Sequence, residues 1–301
     1  MTTMKLILLL PLLIIAVIIY SLIENRYIKT SNYILKLTSD GSVTDVSGAA
    51  DQRTVPEISI VQLSDLHGCR YGKNNDVLLQ KIQACKPDII LLTGDMKNKY
   101  KPVVEDYFNF LKQLSELCPC IYSLGNHELK DREKNPESFI AYMKRVRDCG
   151  IIVSDNAIHS LCLKDISCLF ASYSSSLDEY RRKRFCKEIE NTTENDIPYS
   201  ELSEFPVKIL LSHDPELRKQ YCESDYSIIF SGHLHGGIVR IPGYRGIIST
   251  RFVLFPQYDG GCYQLDEKHV LIVSRGLGSH TIKFRLFNRP EIVHTLIHYE
   301  A

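Results

Sequence analysis

Five apolar runs in this chain stop in the same way, each at a short loop that carries a potential metal ligand. Ile58–Leu63 runs into Ser64-Asp65-Leu66-His67-Gly68, and Asp88–Thr93 into Gly94-Asp95. Cys120–Leu124 ends at Gly125-Asn126-His127-Glu128, and Val207–Leu211 at Ser212-His213-Asp214-Pro215. Tyr226–Phe230 ends at Ser231-Gly232-His233-Leu234-His235-Gly236-Gly237. Short apolar runs bounded by Gly, Asp and Ser read as buried strands. Helical spacing fills much of the chain between them: Asp76–Cys85, Val104–Leu117 with Tyr107, Phe108, Leu111 and Leu114 on one face, and Pro136–Asp148. This alternation predicts an α/β domain. In open α/β sheets, ligand sites form beyond the carboxyl ends of the strands. Residues far apart in the chain (Asp65, His67, Asp95, Asn126, His213, His233 and His235) can therefore meet at one edge.

The donors are carboxylates, an amide oxygen and imidazoles, a mixture that suits Mn, Fe or Zn rather than a thiolate site. The i, i+2 spacing of His233 and His235 on extended chain aims both rings toward one face, and the flanking glycines permit a sharp turn. Each piece alone matches an ordinary turn; a succession of them does not. His159, His269, His280, His294 and His298 sit in no such context and read as structural or surface residues. The ten cysteines include no Cys-x-x-Cys pair, which argues against a zinc–thiolate site and leaves buried, reduced thiols as the expectation. The formal net charge of zero argues against bulk nucleic-acid binding.

Residues 6–23 are almost uninterrupted apolar side chains, with Pro11 among them. A helix of that length spans about 27 Å, close to a bilayer core. A signal peptide is the competing reading, but no small-x-small cleavage site follows directly, so an uncleaved single-pass anchor in the cell membrane is expected. Lys5 precedes the span; Arg26, Lys29 and Lys36 follow it, a lean toward a cytoplasmic body that leaves the side of the domain open. Tyr33–Leu37 reads as a strand, and the polar stretch Ser39–Gln52 as a linker. Residues 157–173 predict two strands, Asp178–Glu190 a charged helix, and Asn191-Thr192-Thr193 a plain loop. The tail from Gly261 is β-rich.

The series Asp65-x-His67, Gly94-Asp95, Gly125-Asn126-His127-Glu128, His213 and Gly232-His233-x-His235 resembles the calcineurin-like metallophosphoesterase superfamily. Gly236-Gly237, Pro242-Gly243, Ser274–Gly278 and Phe287–Ile292 make the chain similar to its YkuE/YaeI-like membrane-associated phosphodiesterases. The resemblance implies a two-sheet β-sandwich flanked by helices, with a dinuclear metal centre at its edge. Asp65, His67, Asp95 and His235 would hold one divalent ion. Asp95, Asn126, His213 and His233 would hold the other, with Asp95 bridging. His127 would be the acid that protonates the leaving oxygen. The layout it implies is an N-terminal membrane anchor at residues 1–23, a strand and linker at 24–55, and the metallophosphoesterase domain at 56–301.

The implied activity is metal-dependent hydrolysis of a phosphodiester or pyrophosphate. The substrate would be a phosphorylated small molecule or lipid-linked compound such as UDP-diacylglucosamine, and residues 6–23 would contact the lipid bilayer. A catalytically silent binding module on the same fold is the alternative. Many members carry an acid three residues beyond the bridging Asp to orient the histidine; here that position is Asn98, an amide that stabilises an imidazolium less well than a carboxylate.

Overall fold

The apolar runs become strands buried on both faces, and alternate side chains separate into two cores. In the computed structural model, which describes residues 2–47, 57–97, 103–177, 180, 197, 204–249, 253–278 and 284–300, thirteen strands form two sheets. The first sheet contains β1 (Lys29–Thr38), β2 (Val43–Asp45), β3 (Glu57–Leu63), β4 (Ile89–Thr93), β5 (Cys120–Ser123), β6 (Ile152–Ser154) and β13 (Glu291–Glu300), in the order β2-β1-β13-β3-β4-β5-β6. The second contains β7 (Ile158–Leu163), β8 (Ile166–Tyr173), β9 (Val207–Ser212), β10 (Ile228–Ser231), β11 (Gly261–Gln264) and β12 (Val270–Val273), in the order β11-β12-β10-β9-β8-β7.

β3 to β6 run parallel, as do β8, β9, β10 and β12. Within each sheet the carboxyl ends of these strands therefore share one edge. Each sheet is mixed, because β13 pairs antiparallel with β3 and β11 antiparallel with β12.

The period-two alternation of a strand explains the layers. From β4, Ile89 and Leu91 enter the core between the sheets, where they meet Phe170, Ile209, Leu211 and Phe230. Ile90 and Leu92 point the other way, against α2 (Asp76–Ala84), α3 (Glu105–Leu117) and α5 (Pro136–Asp148). The three helices fall within a residue of the spans their apolar spacing predicts. Leu210, Ile229 and Leu271 face out of the second sheet, onto Leu217 and onto Tyr221 of α6 (Arg218–Cys222). At the site edge, buried Gln62 of β3 ties the layers together. Its amide nitrogen donates to Thr93 Oγ1 and to the Ser231 carbonyl, both at 2.8 Å.

The strand predicted at Tyr33–Leu37 is β1, and it pairs in parallel with β13 along its whole length. The apolar N-terminal run is α1 (Thr2–Glu24), with Pro11 inside it. Among the described residues no helix is long and apolar enough to cross a membrane. The base of α1 is seated on the domain. Ser21 and Glu24 are buried, Ser21 Oγ accepts the Arg285 amide at 2.9 Å, and Tyr20 lies 5.4 Å from the Phe287 ring. Every described cysteine is a free thiol. Apart from Tyr180, the helix predicted at Asp178–Glu190 lies outside the described residues, as do the Asn191-Thr192-Thr193 loop, Asn98 and His280.

Candidate metal centre

The strand ends converge, and all eight residues singled out in the sequence lie in one cluster. Ligand atoms of Asp65, His67 and His235 fall within 4.8 Å of one another, as do those of Asp95, His213 and His233, and those of His67, Asp95 and His127. His67 and His235 bring their Nε2 atoms to 3.2 Å. Asp65, His67, Asp95, His233 and His235 all hold backbone φ between 47° and 73°. Non-glycine residues rarely adopt this left-handed conformation, and each costs about 1–3 kcal/mol. Strain repeated at five neighbouring chelating side chains marks a site rather than a set of turns. Leu234, between the two loop histidines, is fully buried.

Hydrogen bonds leave the chelating atoms aimed inward. Asp65 Oδ2 accepts the Ser64 hydroxyl at 2.6 Å and the His233 amide at 3.0 Å. Its Oδ1 is buried with no hydrogen-bond partner. His213 Nδ1 lies 2.7 Å from the Thr93 carbonyl, which makes Nδ1 the protonated nitrogen. His213 Nε2 is buried without a hydrogen-bond partner, 3.4 Å from Asp95 Oδ2. His235 Nδ1 is held in the same way by the Gly278 carbonyl at 3.1 Å. A histidine whose second nitrogen is tied to a carbonyl is the usual arrangement of a metal ligand.

Asn126 adds a further sign. One end of its amide lies 2.9 Å from His233 Nδ1 and 3.1 Å from Asp95 Oδ2; the other lies 2.7 Å from the Lys130 ammonium. Without a cation the NH2 group turns inward to donate to both acceptors. An inward oxygen faces two acceptors and is stable only with a cation between them. Buried chelating atoms without hydrogen-bond partners and a polarity-dependent amide fit a metal centre.

The electrostatics of the protein groups alone point the same way. Burial would raise the Asp95 carboxyl, yet the imidazoles of His127, His213 and His67 hold it well below the usual carboxylate range. Burial pushes His67 down to about 3 against the pull of Asp95 and Asp65, with His235 and His127 adding to the fall. His213 goes to about 10, because Asp95 and Asp65 outweigh its burial. Anionic Asp95 is thus the charge around which the cluster is arranged.

The sequence placed Asn126-His127-Glu128 on a loop, but these residues are the first turn of α4 (Asn126–Lys134). A helix start leaves its first amide hydrogens unpaired, and the His127 amide uses this to donate to Asp95 Oδ1 at 2.8 Å. Gly94 and Gly125 permit the approach. A Cβ on Gly125 would lie 2.3 Å from Asp95 Oδ1, and one on Gly94 would lie 2.6 Å from Gly125 Cα.

Three residues with no role assigned from the sequence position the ligands. Buried Glu128 accepts the amides of Asp95 at 2.9 Å, Gly125 at 3.0 Å and Met96 at 3.2 Å, and the Tyr122 hydroxyl at 2.8 Å. Both of its oxygens are acceptors, so a glutamine would turn an NH2 group against donors. Glu128→Gln is expected to weaken metal affinity about 10–100-fold, measured by titrating metal into the stripped protein. Fully buried Arg285 donates to the carbonyls of Gly278 at 2.6 Å, Arg275 at 3.0 Å and Gly276 at 3.2 Å, bracing the loop that holds His235. Asn288 Nδ2 donates to the His235 carbonyl at 2.8 Å.

The histidines read as structural are tied elsewhere. His159 bonds Ser154, His294 bonds Ser59, and His298 bonds Glu57. His269 is held on both nitrogens, by Asp266 and by the Ser224 carbonyl.

A sandwich of two mixed sheets with this cluster at its edge defines a metallophosphoesterase. The family described as calcineurin-like phosphoesterase matches residues 58–237, and the chain belongs to it, within the YkuE-like group. It is a hydrolase acting on phosphoric esters. The uncharacterized metallophosphoesterase YkuE of Bacillus subtilis is 29% identical over 241 residues, covering 77% of this chain and 76% of that protein. The uncharacterized metallophosphoesterase Cj0846 of Campylobacter jejuni is 25% identical over 242 residues, covering 79% of this chain but 58% of that longer protein. UDP-2,3-diacylglucosamine pyrophosphatase LpxG of Chlamydia muridarum is 24% identical over 286 residues, covering 78% of this chain and 82% of its own length.

Proposed function

We propose that this chain is a membrane-held phosphohydrolase that cleaves a phosphodiester or pyrophosphate bond in a lipid-linked substrate, UDP-diacylglucosamine being the first compound to test. The observation that carries the reading is the inward set of buried chelating atoms: Asp65 Oδ1 and His213 Nε2 without hydrogen-bond partners, and the Asn126 amide against Asp95 and His233. Asp65, His67, Asp95 and His235 would hold one divalent ion, and Asp95, Asn126, His213 and His233 would hold the second. Two such ions supply Lewis acidity, neutralising phosphoryl charge and making water nucleophilic near neutral pH.

The side chains do the rest. Asp95 offsets the positive charge without neutralising it, so the cluster attracts an anionic phosphate. His127, set beside Asp95 at the start of α4, gives its imidazolium proton to the departing oxygen. Residues 1–23 anchor the chain, residues 24–55 join the anchor to the sheet through β1, and residues 56–301 carry the chemistry. The LpxG likeness supports a nucleotide–lipid pyrophosphate, and the apolar α1 supports a membrane location.

The test is hydrolysis by the full-length protein in detergent with Mn²⁺, Fe²⁺ or Zn²⁺. Turnover of bis-p-nitrophenyl phosphate and faster turnover of UDP-2,3-diacylglucosamine are expected. Turnover of the first without the second would move the substrate to another phosphoester. No hydrolysis of diester, monoester or nucleotide–lipid with any of these metals would leave a catalytically silent binding module.

A further inference from the structure

The loop that follows His235 builds an apolar surface that the hydrolytic chemistry does not use. Residues 238–249 and 253–255 form a small flap: Ile238 donates to the Ile248 carbonyl at 2.9 Å, Ile247 to Val239 at 2.8 Å, and Phe255 to Ile247 at 2.8 Å. The Arg240 amide bonds the Leu286 carbonyl at 3.0 Å, which ties the flap to the segment around Phe287. On its inner side, buried Arg240 donates to the Gly236 carbonyl at 2.8 Å and pairs with Asp259 at 3.1 Å, so the flap is fixed to the metal-centre loop. Its outer side is apolar and uncovered among the described residues. Tyr244 is 62% exposed, Leu254 53%, Phe255 46%, Phe287 46% and Ile241 39%. Clusters of large exposed apolar residues are uncommon on soluble monomers and mark an interaction surface.

Two observations choose the partner. The patch is continuous with α1, because Tyr20 packs on Phe287 and the helix beyond Tyr20 exposes Leu12, Leu13, Ile14, Ile15, Ile18 and Ile19. The charges that reach the surface beside the patch are basic. Arg26, Lys29 and Arg289 are exposed and Arg245 is half-buried, whereas Arg240 is buried against Asp259 and Arg285, Glu24 and Glu291 are buried. Arg245 lies over the Tyr244 ring at 4.7 Å, and the Lys29 amide bonds the Pro290 carbonyl at 2.8 Å, which brings the start of β1 to Arg289. A second copy of this chain would oppose the same positive rim. An anionic bilayer complements it: aromatic rings settle at the headgroup level and arginines pair with lipid phosphates.

We infer that the flap of residues 238–249 and 253–255, with Phe287, is a membrane-seating surface that lies in the interface of an anionic bilayer beside α1. Because the flap hangs from the His233–His235 loop, this seating sets the metal centre next to the headgroup layer. A phosphate ester whose tails stay in the bilayer can then reach it without being extracted. The inference rests on the membrane-held reading above, and the test separates the two.

The chain has no tryptophan, so a single introduced one reports its own depth. Full-length Phe255→Trp, Ile14→Trp in α1 and Ile140→Trp on α5, at the β6 side of the first sheet, are reconstituted into phosphatidylglycerol vesicles containing lipids brominated on the acyl chains. Hydrolysis of bis-p-nitrophenyl phosphate checks that each variant is folded. Bromine is expected to quench Phe255→Trp and Ile14→Trp about twofold or more, as for side chains sunk into the interface or deeper, and to leave Ile140→Trp unchanged. Quenching at Ile14→Trp with none at Phe255→Trp overturns the seating surface and leaves the anchor standing. No quenching at either position overturns both. Quenching at all three overturns a preferred face.

Discussion

Asp95→Asn is expected to lower kcat by about 10³-fold or more, beyond the 10–100-fold that loss of an outer-shell partner causes, and to leave the centre largely without metal. The substitution is nearly isosteric, so the His127 amide keeps an oxygen to donate to. The negative charge does not survive. Asp95 Oδ2 lies 3.1 Å from the Asn126 amide, 3.4 Å from His213 Nε2, 3.8 Å from His127 Nε2 and 4.0 Å from His67 Nε2. In the assignment proposed here it is the one carboxylate shared by both ions. With an amide in its place, Asp65 alone offsets two dications in a buried pocket, and uncompensated buried charge is not retained. Metal content by elemental analysis and kcat with bis-p-nitrophenyl phosphate should fall together. An Asp95→Asn variant that keeps two metals and its turnover would remove Asp95 from the bridging role.

The sequence made the strand ends legible because each property involved is local. A β-branched run, a glycine or aspartate stop and a chelating side chain lie within a few residues of one another. The helices α2, α3 and α5 are legible for the same reason, since each carries its own apolar period. What escaped notice acts through the backbone or across long separations. Glu128 closes the Gly125–Glu128 loop motif with no role of its own until its oxygens are seen to collect the amides of Asp95, Met96 and Gly125. Arg285 reads as a surface cation, because buried arginines are rare, yet it satisfies three carbonyls of the loop behind His235. The carbonyls of Thr93 and Gly278 that set the histidine tautomers have no sequence signature, because every residue has a carbonyl. The start of α4 at Asn126 was hidden by the glycine before it, which reads as a turn. Only the structure shows the N-terminal amide of His127 closing on Asp95.

His127→Ala is expected to separate chemistry from metal binding. His127 stands beside the carboxylate, with its ring edge-on to His67 at 4.9 Å between centroids, and its backbone amide holds Asp95 whatever the side chain. An alanine therefore keeps that bond and removes only the imidazole. A general acid contributes about 10²–10⁴-fold where the leaving oxygen needs a proton. The loss should accordingly depend on the leaving group: within that range for an alkyl phosphodiester, but less than about tenfold for a p-nitrophenyl ester, whose phenolate departs without help. Metal content should be unchanged in both cases. The same geometry contains the competing role, because His127 also shares a 4.8 Å cluster with His67 and Asp95, as a ligand would. A ligand would announce itself by losing metal and by lowering both substrates equally, and that outcome would move the proton donor to another group at the mouth of the site.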